Sequence, residues 1–231
     1  MRPTPHSFED HRWMHRALTL AMRMRGHVWP NPPVGCVIVK NELVIAEGAT
    51  RPGGRPHAER VALDEAGANA KGATLYVTLE PCSHWGKTPP CAEAIVEAGI
   101  ARVVCAIGDP DPRVNGGGFR VLRNAGVDLT IGRCREDAEK IMSGFFSRLR
   151  LGEPEVTVVS EVLETVPPGI DALIVTSCGS ARVRTHRGDV TEDIQTLSIP
   201  SHHLLARMGA LGLTSVAVHR DDPILHEFAV S

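Results

Sequence analysis

The chain has 231 residues, of which 42% are hydrophobic and 23% charged, an ordinary balance for one large globular domain or for one domain with a smaller companion. With a net charge of −2 and an aromatic content of 4%, the composition shows neither the basic character nor the stacking side chains typical of nucleic-acid-binding proteins. No apolar run of about eighteen residues predicts a membrane span, and charges interrupt the first twenty positions, so we expect a cytoplasmic protein that is neither exported nor membrane-bound.

The first part of the chain alternates between helix-like and strand-like patterns. A periodic helix is predicted from Ser7 to Gly26, and two apolar runs joined by Asn41-Glu42 predict a β-hairpin. The following segments are HAERVALDEAGA (helix), ATLYVTL (strand), AEAIVEAG (helix), ARVVCAIG (strand), a glycine-rich turn before a further helix, VDLTIG (strand) and EDAEKIMSGFFSRLR (helix). This alternation predicts an α/β domain over residues 1–150, with helices on both faces of a mostly parallel sheet and an antiparallel edge formed by the hairpin.

Residues 151–231 contain fewer regular patterns. VTVVSEVL, DALIVTS and LTSVAVH are strand-like, and SHHLLARMGALG predicts a short helix. A segment with so few elements has difficulty burying a core of its own. We therefore expect this small α/β segment to pack on the first domain or on a second subunit.

The six cysteines differ in their surroundings. In a reducing compartment cysteines serve metal binding, catalysis or core packing rather than disulfides. Cys36 and Cys105 lie inside apolar strand-like runs, which favours a place in the core. Cys82 and Cys91 instead lie among polar residues and prolines, which is typical of a functional loop.

His57, Cys82 and Cys91 are the predicted ligands of a catalytic Zn²⁺ ion, which typically takes three protein ligands and leaves a fourth position for water. His57 and Cys91 each open a predicted helix, and the positive end of a helix favours the thiolate that a metal needs. Cys82 follows the end of a strand, where open α/β sheets bind their ligands.

Glu59 is the predicted general acid and base. Two thiolates balance the charge of Zn²⁺, so the metal alone acidifies its water less and a nearby carboxylate becomes useful. His57-Ala58-Glu59 and Pro81-Cys82 match the signature of zinc deaminases, although eight residues rather than two separate the cysteines. The alternatives are polar loop residues brought together by coincidence and, for Glu59, a solvated glutamate in the first turn of a helix.

Four segments, HVWPNPPVGCVIVK, GGRPHAERVAL, ATLYVTLEPCSHWGKTPPC and DPDPRVNGGGF, together resemble the deaminase domain of the bacterial bifunctional riboflavin-biosynthesis pyrimidine deaminase/reductase over about residues 10–150. The resemblance implies a cytidine-deaminase-like three-layer α/β/α sandwich with one Zn²⁺ per chain. It also implies a small-molecule substrate, 2,5-diamino-6-ribosylamino-4(3H)-pyrimidinone 5′-phosphate, which loses its ring amino group as ammonia.

The resemblance further implies substrate-binding roles for Asn31, His84, Lys87 and Asp109. The charge of Lys87 suits a 5′-phosphate. Each residue has a structural alternative: a turn for Asn31 and Asp109, packing for His84, and a solvated loop position for Lys87.

The chain departs from the family pattern at three positions. Thr50 stands where many members carry a histidine, Arg55 where an acidic residue is frequent, and Gly117 where a basic residue is usual. The first departure puts one substrate contact in doubt. None of the three affects the predicted metal ligands or the base.

In the resembling enzyme an NADPH-binding reductase domain follows the deaminase. Here RDDP follows LTSVAVH where Glu-Gly-Gly is expected, and without glycines the backbone cannot approach a pyrophosphate closely. We interpret residues 151–231 as a shortened reductase-like remnant with a structural or assembly role, and we expect no NADPH binding. We also expect a homo-oligomer, first of all a dimer, with a separate reductase as a candidate partner.

Two other functions stay open at this stage. One is deamination of another base or nucleotide, including a tRNA adenosine, although the acidic balance speaks against nucleic acid. The other is an inactive zinc-stabilised scaffold for a separate reductase. The presence of Glu59 speaks against the scaffold, because a structural zinc site needs no such base and normally has a fourth protein ligand.

Overall fold

A computed structural model describes residues 5–85, 89–111, 114–177, 180–186, 188–195 and 201–225. The chain divides into two compact units, one of Met1–Met24 and Pro33–Met142, and the other of Arg25–Pro32 and Ser143–Ser231. Within the described residues, no helix is both long and apolar enough to cross a membrane.

The first unit follows the predicted order of elements. Its helices and strands are α1 (Pro5–Met22), β1 (Gly35–Lys40), β2 (Leu43–Ala49), α2 (Ala58–Ala66), β3 (Thr74–Val77), α3 (Cys91–Glu97), β4 (Arg102–Cys105), α4 (Gly117–Asn124), β5 (Asp128–Ile131) and α5 (Arg135–Ile141). The prediction of one closing helix was wrong, because the helix is interrupted at Met142 and α6 (Ser143–Leu151) belongs to the second unit.

The sheet of the first unit has the order β2-β1-β3-β4-β5. Strands β3, β4 and β5 are parallel, whereas β1 pairs antiparallel with both β2 and β3. Asn41 and Glu42 join the hairpin with φ of 51° and 62°, and two left-handed residues in a two-residue loop match the twist of the flanking strands. The mixed sheet, with two parallel and two antiparallel strand pairs, confirms the predicted α/β fold class.

Two glycines of the hairpin allow helices to approach both faces of the sheet. A Cβ at Gly35 would lie 1.9 Å from the Ala17 carbonyl oxygen of α1, and a Cβ at Gly48 would lie 2.1 Å from the Ala58 carbonyl oxygen of α2. Gly48 is paired with Cys36, the residue after Gly35, so the two glycines face opposite sides of the sheet. Helices α1 and α2 therefore form separate layers, with α5 contacting α1, and α3 contacting α2 and α4.

The second unit has its own five-stranded sheet. After α6 it contains β6 (Glu155–Val159), β7 (Ala172–Ser177), β8 (Ser180–Thr185), β9 (Gly188–Gln195), α7 (Ser201–Ala210) and β10 (Ser215–His219). The strand order is β6-β10-β7-β8-β9, with β6, β10 and β7 parallel and the last two strands antiparallel.

Strands β8 and β9 were not predicted from the sequence, and their presence changes the expectation for the second unit. One buried cluster contains Ala172, Ile174, Val183, Leu204, Leu205, Met208, Leu213, Val216, Val218 and Ile224. Residues after position 150 therefore do bury a core of their own, contrary to our expectation. Their interpretation as a reductase-like remnant stays a prediction.

Candidate metal centre

Three elements of the first unit bring the predicted metal ligands together. His57 is the residue before α2 and has an extended backbone, with φ of −68° and ψ of 158°. Cys91 is the first residue of α3, directly after Pro90. Cys82 lies in the loop that follows β3 and connects to α3. Helices α2 and α3 contact each other, and the ligand atoms of His57, Cys82 and Cys91 all lie within 4.8 Å of one another.

The distances between the donor atoms fit a zinc ion. His57 Nδ1 lies 3.7 Å from Cys82 Sγ and 3.5 Å from Cys91 Sγ. A tetrahedral ion with Zn–S and Zn–N bonds of ordinary length separates nitrogen and sulfur by about 3.6 Å. His57 and Cys82 are half-buried and Cys91 is buried, so the three donors line a partly closed site.

The two cysteines strongly influence each other. The Cys91 thiol and backbone N–H both donate toward Cys82 Sγ, the latter at 3.3 Å. The thiol hydrogen bond outweighs burial and lowers the pKa of Cys82 to about 4, with a further contribution from His57. The same bond, together with burial, raises the pKa of Cys91. Two sulfurs this close favour a divalent cation that can neutralise both thiolates.

Glu59 lies in the first turn of α2 and is only 4% exposed. Burial raises its pKa to about 7, although nearby His57 acts in the opposite direction. Its carboxyl group interacts with the Cys91 side chain, which places it beside the ligand cluster. A carboxyl group that gains and loses a proton near neutral pH is suited to general acid–base catalysis.

The four predicted substrate-binding residues lie in different surroundings. His84 is exposed in the loop after Cys82, and Lys87 lies outside the described residues. Asp109 Oδ1 accepts a hydrogen bond of 2.9 Å from the Asp111 backbone, as in a turn. Asn31 belongs to the second unit, where its N–H donates to the Val28 carbonyl at 3.1 Å. Their roles in binding substrate stay predictions.

Glu80, whose role was not predicted from the sequence, is 4% exposed and directly precedes Pro81-Cys82. Its Oε2 accepts hydrogen bonds from the backbone of Asp109 at 3.2 Å and Gly116 at 3.1 Å, and its Oε1 from Gly118 at 3.0 Å and Phe119 at 3.3 Å. Glu80 thus ties the start of α4 and the Asp109 turn to the metal-binding loop. A helix that begins with glycines and has no capping side chain of its own is the sequence signal that could have indicated such a partner.

Two departures from the family pattern have structural roles here. Thr50 is 1% exposed, and its Oγ1 accepts a hydrogen bond of 3.1 Å from the Val34 backbone, which joins the end of β2 to the start of β1. At Gly117 a Cβ would lie 2.4 Å from Ser83 Oγ. The glycine therefore allows the start of α4 to lie against the loop that carries Cys82.

Comparisons with known proteins match both units. Residues 7–107 match the family model "Cytidine and deoxycytidylate deaminase zinc-binding region", which includes all three proposed ligands. The riboflavin biosynthesis protein RibD of Haemophilus influenzae is 42% identical over 220 residues, or 95% of this chain and 55% of the relative. The chain thus spans about half the length of this relative, and the similarity extends beyond the first unit.

A shorter relative is matched over almost its whole length. The diaminohydroxyphosphoribosylamino-pyrimidine deaminase of Buchnera aphidicola is 45% identical over 146 residues, which cover 63% of this chain and 99% of the relative. Among solved structures, a Thermotoga maritima diaminohydroxyphosphoribosylaminopyrimidine deaminase/5-amino-6-(5-phosphoribosylamino)uracil reductase aligns with a TM-score of 0.79 and 26% identity, covering 97% of this chain and 84% of that one.

Proposed function

This chain belongs to the RibD family of riboflavin-biosynthesis pyrimidine deaminases, and we propose that it catalyses the deaminase reaction of that family. The reaction is the zinc-dependent hydrolytic deamination of 2,5-diamino-6-ribosylamino-4(3H)-pyrimidinone 5′-phosphate. In this reaction the oxygen of water replaces the amino group on the ring carbon, which yields a ring carbonyl and ammonia. The observation that carries the proposal is one buried carboxyl group, Glu59, placed beside a set of donors spaced for zinc, His57, Cys82 and Cys91.

The ligand set supports catalytic rather than structural zinc. His57, Cys82 and Cys91 supply three protein donors, the number typical of catalytic sites that keep one position for water or substrate. When bound, zinc activates a water molecule for attack on the ring carbon.

Glu59 holds and moves the protons of the reaction. A carboxylate oxygen of Glu59 accepts a proton from the attacking water and returns it to the ring nitrogen. Glu59 then accepts the proton of the newly added hydroxyl group and delivers it to the departing amine, which leaves as ammonia while the ring carbonyl forms. Burial supports this role, since it brings the two protonation states of Glu59 close in free energy near pH 7.

The loop between Cys82 and Cys91 is the proposed source of specificity for a phosphorylated pyrimidine. His84 is exposed on this loop, and we propose that it contacts the substrate. We propose Lys87 as the partner of the 5′-phosphate, with Asp109 and Asn31 as further contacts. The Glu80 carboxylate supports the role of Asp109, because it holds the Asp109 backbone against the metal-binding loop.

Ammonia release from the diamino-ribosylaminopyrimidinone phosphate tests the proposal, measured with zinc-loaded protein before and after treatment with a chelator. We expect release that stops with the chelator and returns with Zn²⁺. Glu59→Gln should lower the rate by about 100-fold or more at unchanged zinc content, since general acid–base catalysis contributes about 10²–10⁴-fold. Glu93→Gln is the matched control, because Glu93 lies in the first turn of α3.

The outcomes separate the competing functions. Release from another nucleotide or base but not from this substrate would keep the deaminase chemistry and overturn the substrate. No release from any of these compounds, by a folded protein with one bound zinc, would favour the scaffold. Full activity of Glu59→Gln would remove Glu59 from its proposed role.

We also propose a cytoplasmic homodimer in which residues 151–231 serve assembly rather than reduction, with the reductase step left to a separate protein. The buried core of the second unit supports a folded structural role. Light scattering of the purified protein tests the dimer, and a shortened chain that ends at position 150 tests the assembly role. An unchanged oligomeric state of the shortened chain would contradict it.

A further inference from the structure

A second group of metal-ligating side chains lies on the first unit, between α1 and α5. It consists of His11 and His15 on α1 and Cys134, the residue before α5. One nitrogen from each histidine and the Cys134 sulfur all lie within 4.8 Å of one another. Helices α1 and α2 cover opposite faces of the sheet, so this group is separate from the proposed catalytic zinc.

The histidine pair has the spacing of two metal ligands. His11 and His15 are four residues apart on a helix, which places them on one face. Their Nε2 atoms lie 3.2 Å apart, and their rings are tilted by 56° rather than stacked. Two nitrogens bound to one tetrahedral zinc ion are separated by about 3.3 Å. The helix therefore presents two imidazole nitrogens at the separation that a zinc ion requires.

The other donors come from a distant part of the chain. Cys134 is half-buried, and Asp137 Oδ2 lies 4.0 Å from His15 Nε2. Two imidazoles and a thiolate, with a carboxylate at the edge, form a donor set that suits Zn²⁺ better than Mg²⁺ or Ca²⁺. A hydrogen bond between the two imidazoles is the competing explanation for the 3.2 Å contact, and it requires neither Cys134 nor Asp137.

We propose that His11, His15 and Cys134 form a second zinc site, with Asp137 or water as the fourth ligand. The site links α1 to α5, whose ligands are more than one hundred positions apart in the chain. The site is exposed, because both histidines are open to solvent. Its role is to hold two helices of one face together, and it is independent of the proposed deaminase reaction.

Zinc titration of the full chain by calorimetry, starting from protein that already holds one equivalent, tests the site. We expect a second equivalent, bound at least about tenfold more weakly by His15→Ala and by Cys134→Ser. The matched controls are Arg12→Ala on α1 and Glu136→Ala on α5, two exposed positions beside the ligands that should leave the second equivalent unchanged.

Cobalt added to the same one-zinc protein provides a readout of the sulfur ligand. A thiolate–cobalt charge-transfer band should appear and should be lost in Cys134→Ser, while circular dichroism confirms that the variant is folded. The proposal is overturned if no second equivalent binds, or if Cys134→Ser leaves both the affinity and the band unchanged. Binding that depends only on the histidines would also overturn the three-ligand site.

Discussion

Replacing Glu80 by glutamine should destabilise the first unit, although the change replaces a single oxygen by an amide nitrogen. Each carboxylate oxygen of Glu80 accepts hydrogen bonds from two backbone N–H groups: Asp109 and Gly116 donate to one oxygen, and Gly118 and Phe119 to the other. Glutamine keeps one acceptor oxygen and turns an NH₂ group toward the other two donors. Two N–H groups in a buried place are then left without an acceptor.

The expected loss of stability follows from these contacts. Each unsatisfied buried donor costs about 1–3 kcal/mol. The lost negative charge at the start of α4 adds about 0.3–1 kcal/mol. We therefore expect the free energy of unfolding to fall by about 2–7 kcal/mol, a large part of the roughly 5–15 kcal/mol typical of a domain.

Urea unfolding at pH 7, combined with hydrogen exchange of the peptide that contains Gly118 and Phe119, measures this effect. With a slope of about 2 kcal/mol per molar urea, the midpoint should fall by about 1–3.5 M. The two amides should exchange faster than in the unmodified protein. Glu97→Gln at the exposed end of α3 is the control and should stay within about 0.5 kcal/mol. A Glu80→Gln variant with unchanged midpoint and unchanged amide protection would refute the reasoning.

Three further predictions concern other parts of the chain. Gly118→Ala should lower thermal stability and zinc retention more than Gly117→Ala. A Cβ at 118 would lie 2.0 Å from the rigid Pro81 carbonyl oxygen, whereas a Cβ at 117 would meet a rotatable serine hydroxyl. Equal losses in both measurements would contradict this order. Burial acts to raise the pKa of Asp10, but hydrogen bonds from Arg102 and a tyrosine hydroxyl outweigh it and hold this pKa below the usual 3.8. The stability contributed by the Asp10–Arg102 pair is therefore complete above about pH 4 and is lost as pH falls through the lowered pKa. In urea unfolding, Asp10→Asn should lower the free energy of unfolding by about 3 kcal/mol, and this loss should shrink below pH 4. A loss that grows on acidification would contradict the prediction. The second unit should not oxidise NADPH in the presence of the deaminated product, which absorbance at 340 nm would check, and oxidation by the purified chain would end the remnant interpretation.

Local patterns predicted most elements of the first unit correctly. Asn41-Glu42 between two apolar runs predicted the hairpin, and the structure confirms it because two left-handed residues suit a two-residue loop. The order of helices and strands followed from the local pattern of apolar residues, which can be recognised without knowledge of distant contacts. Strand β8 was missed although SARVRT alternates polar and apolar residues, a pattern typical of a half-buried strand. Its pairing with β7 makes it part of the sheet.

The site was predictable only as a set of residue types. Histidine, cysteine and glutamate at the starts of helices indicated zinc chemistry, since these side chains are the ligands and the base that such chemistry needs. The glycine start of α4 indicates only that its N–H groups need a distant acceptor, and nothing local identifies this acceptor as Glu80, because its four partners lie about thirty to forty positions away. The interruption of the closing helix at Met142 could not be predicted from the sequence either, because a helical pattern continues through this position.

The amino-acid sequence by itself therefore determined the fold class, the order of most elements in the first unit and the identity of the proposed zinc ligands and base, because all of these depend on local periodicity and on side-chain chemistry. Only the tertiary structure decided the distances between those ligands, the burial of Glu59, the carboxylate support from Glu80 and the meeting of His11 and His15 with Cys134. These features depend on which distant segments pack together, and that packing is set by the whole core rather than by any single stretch of the chain.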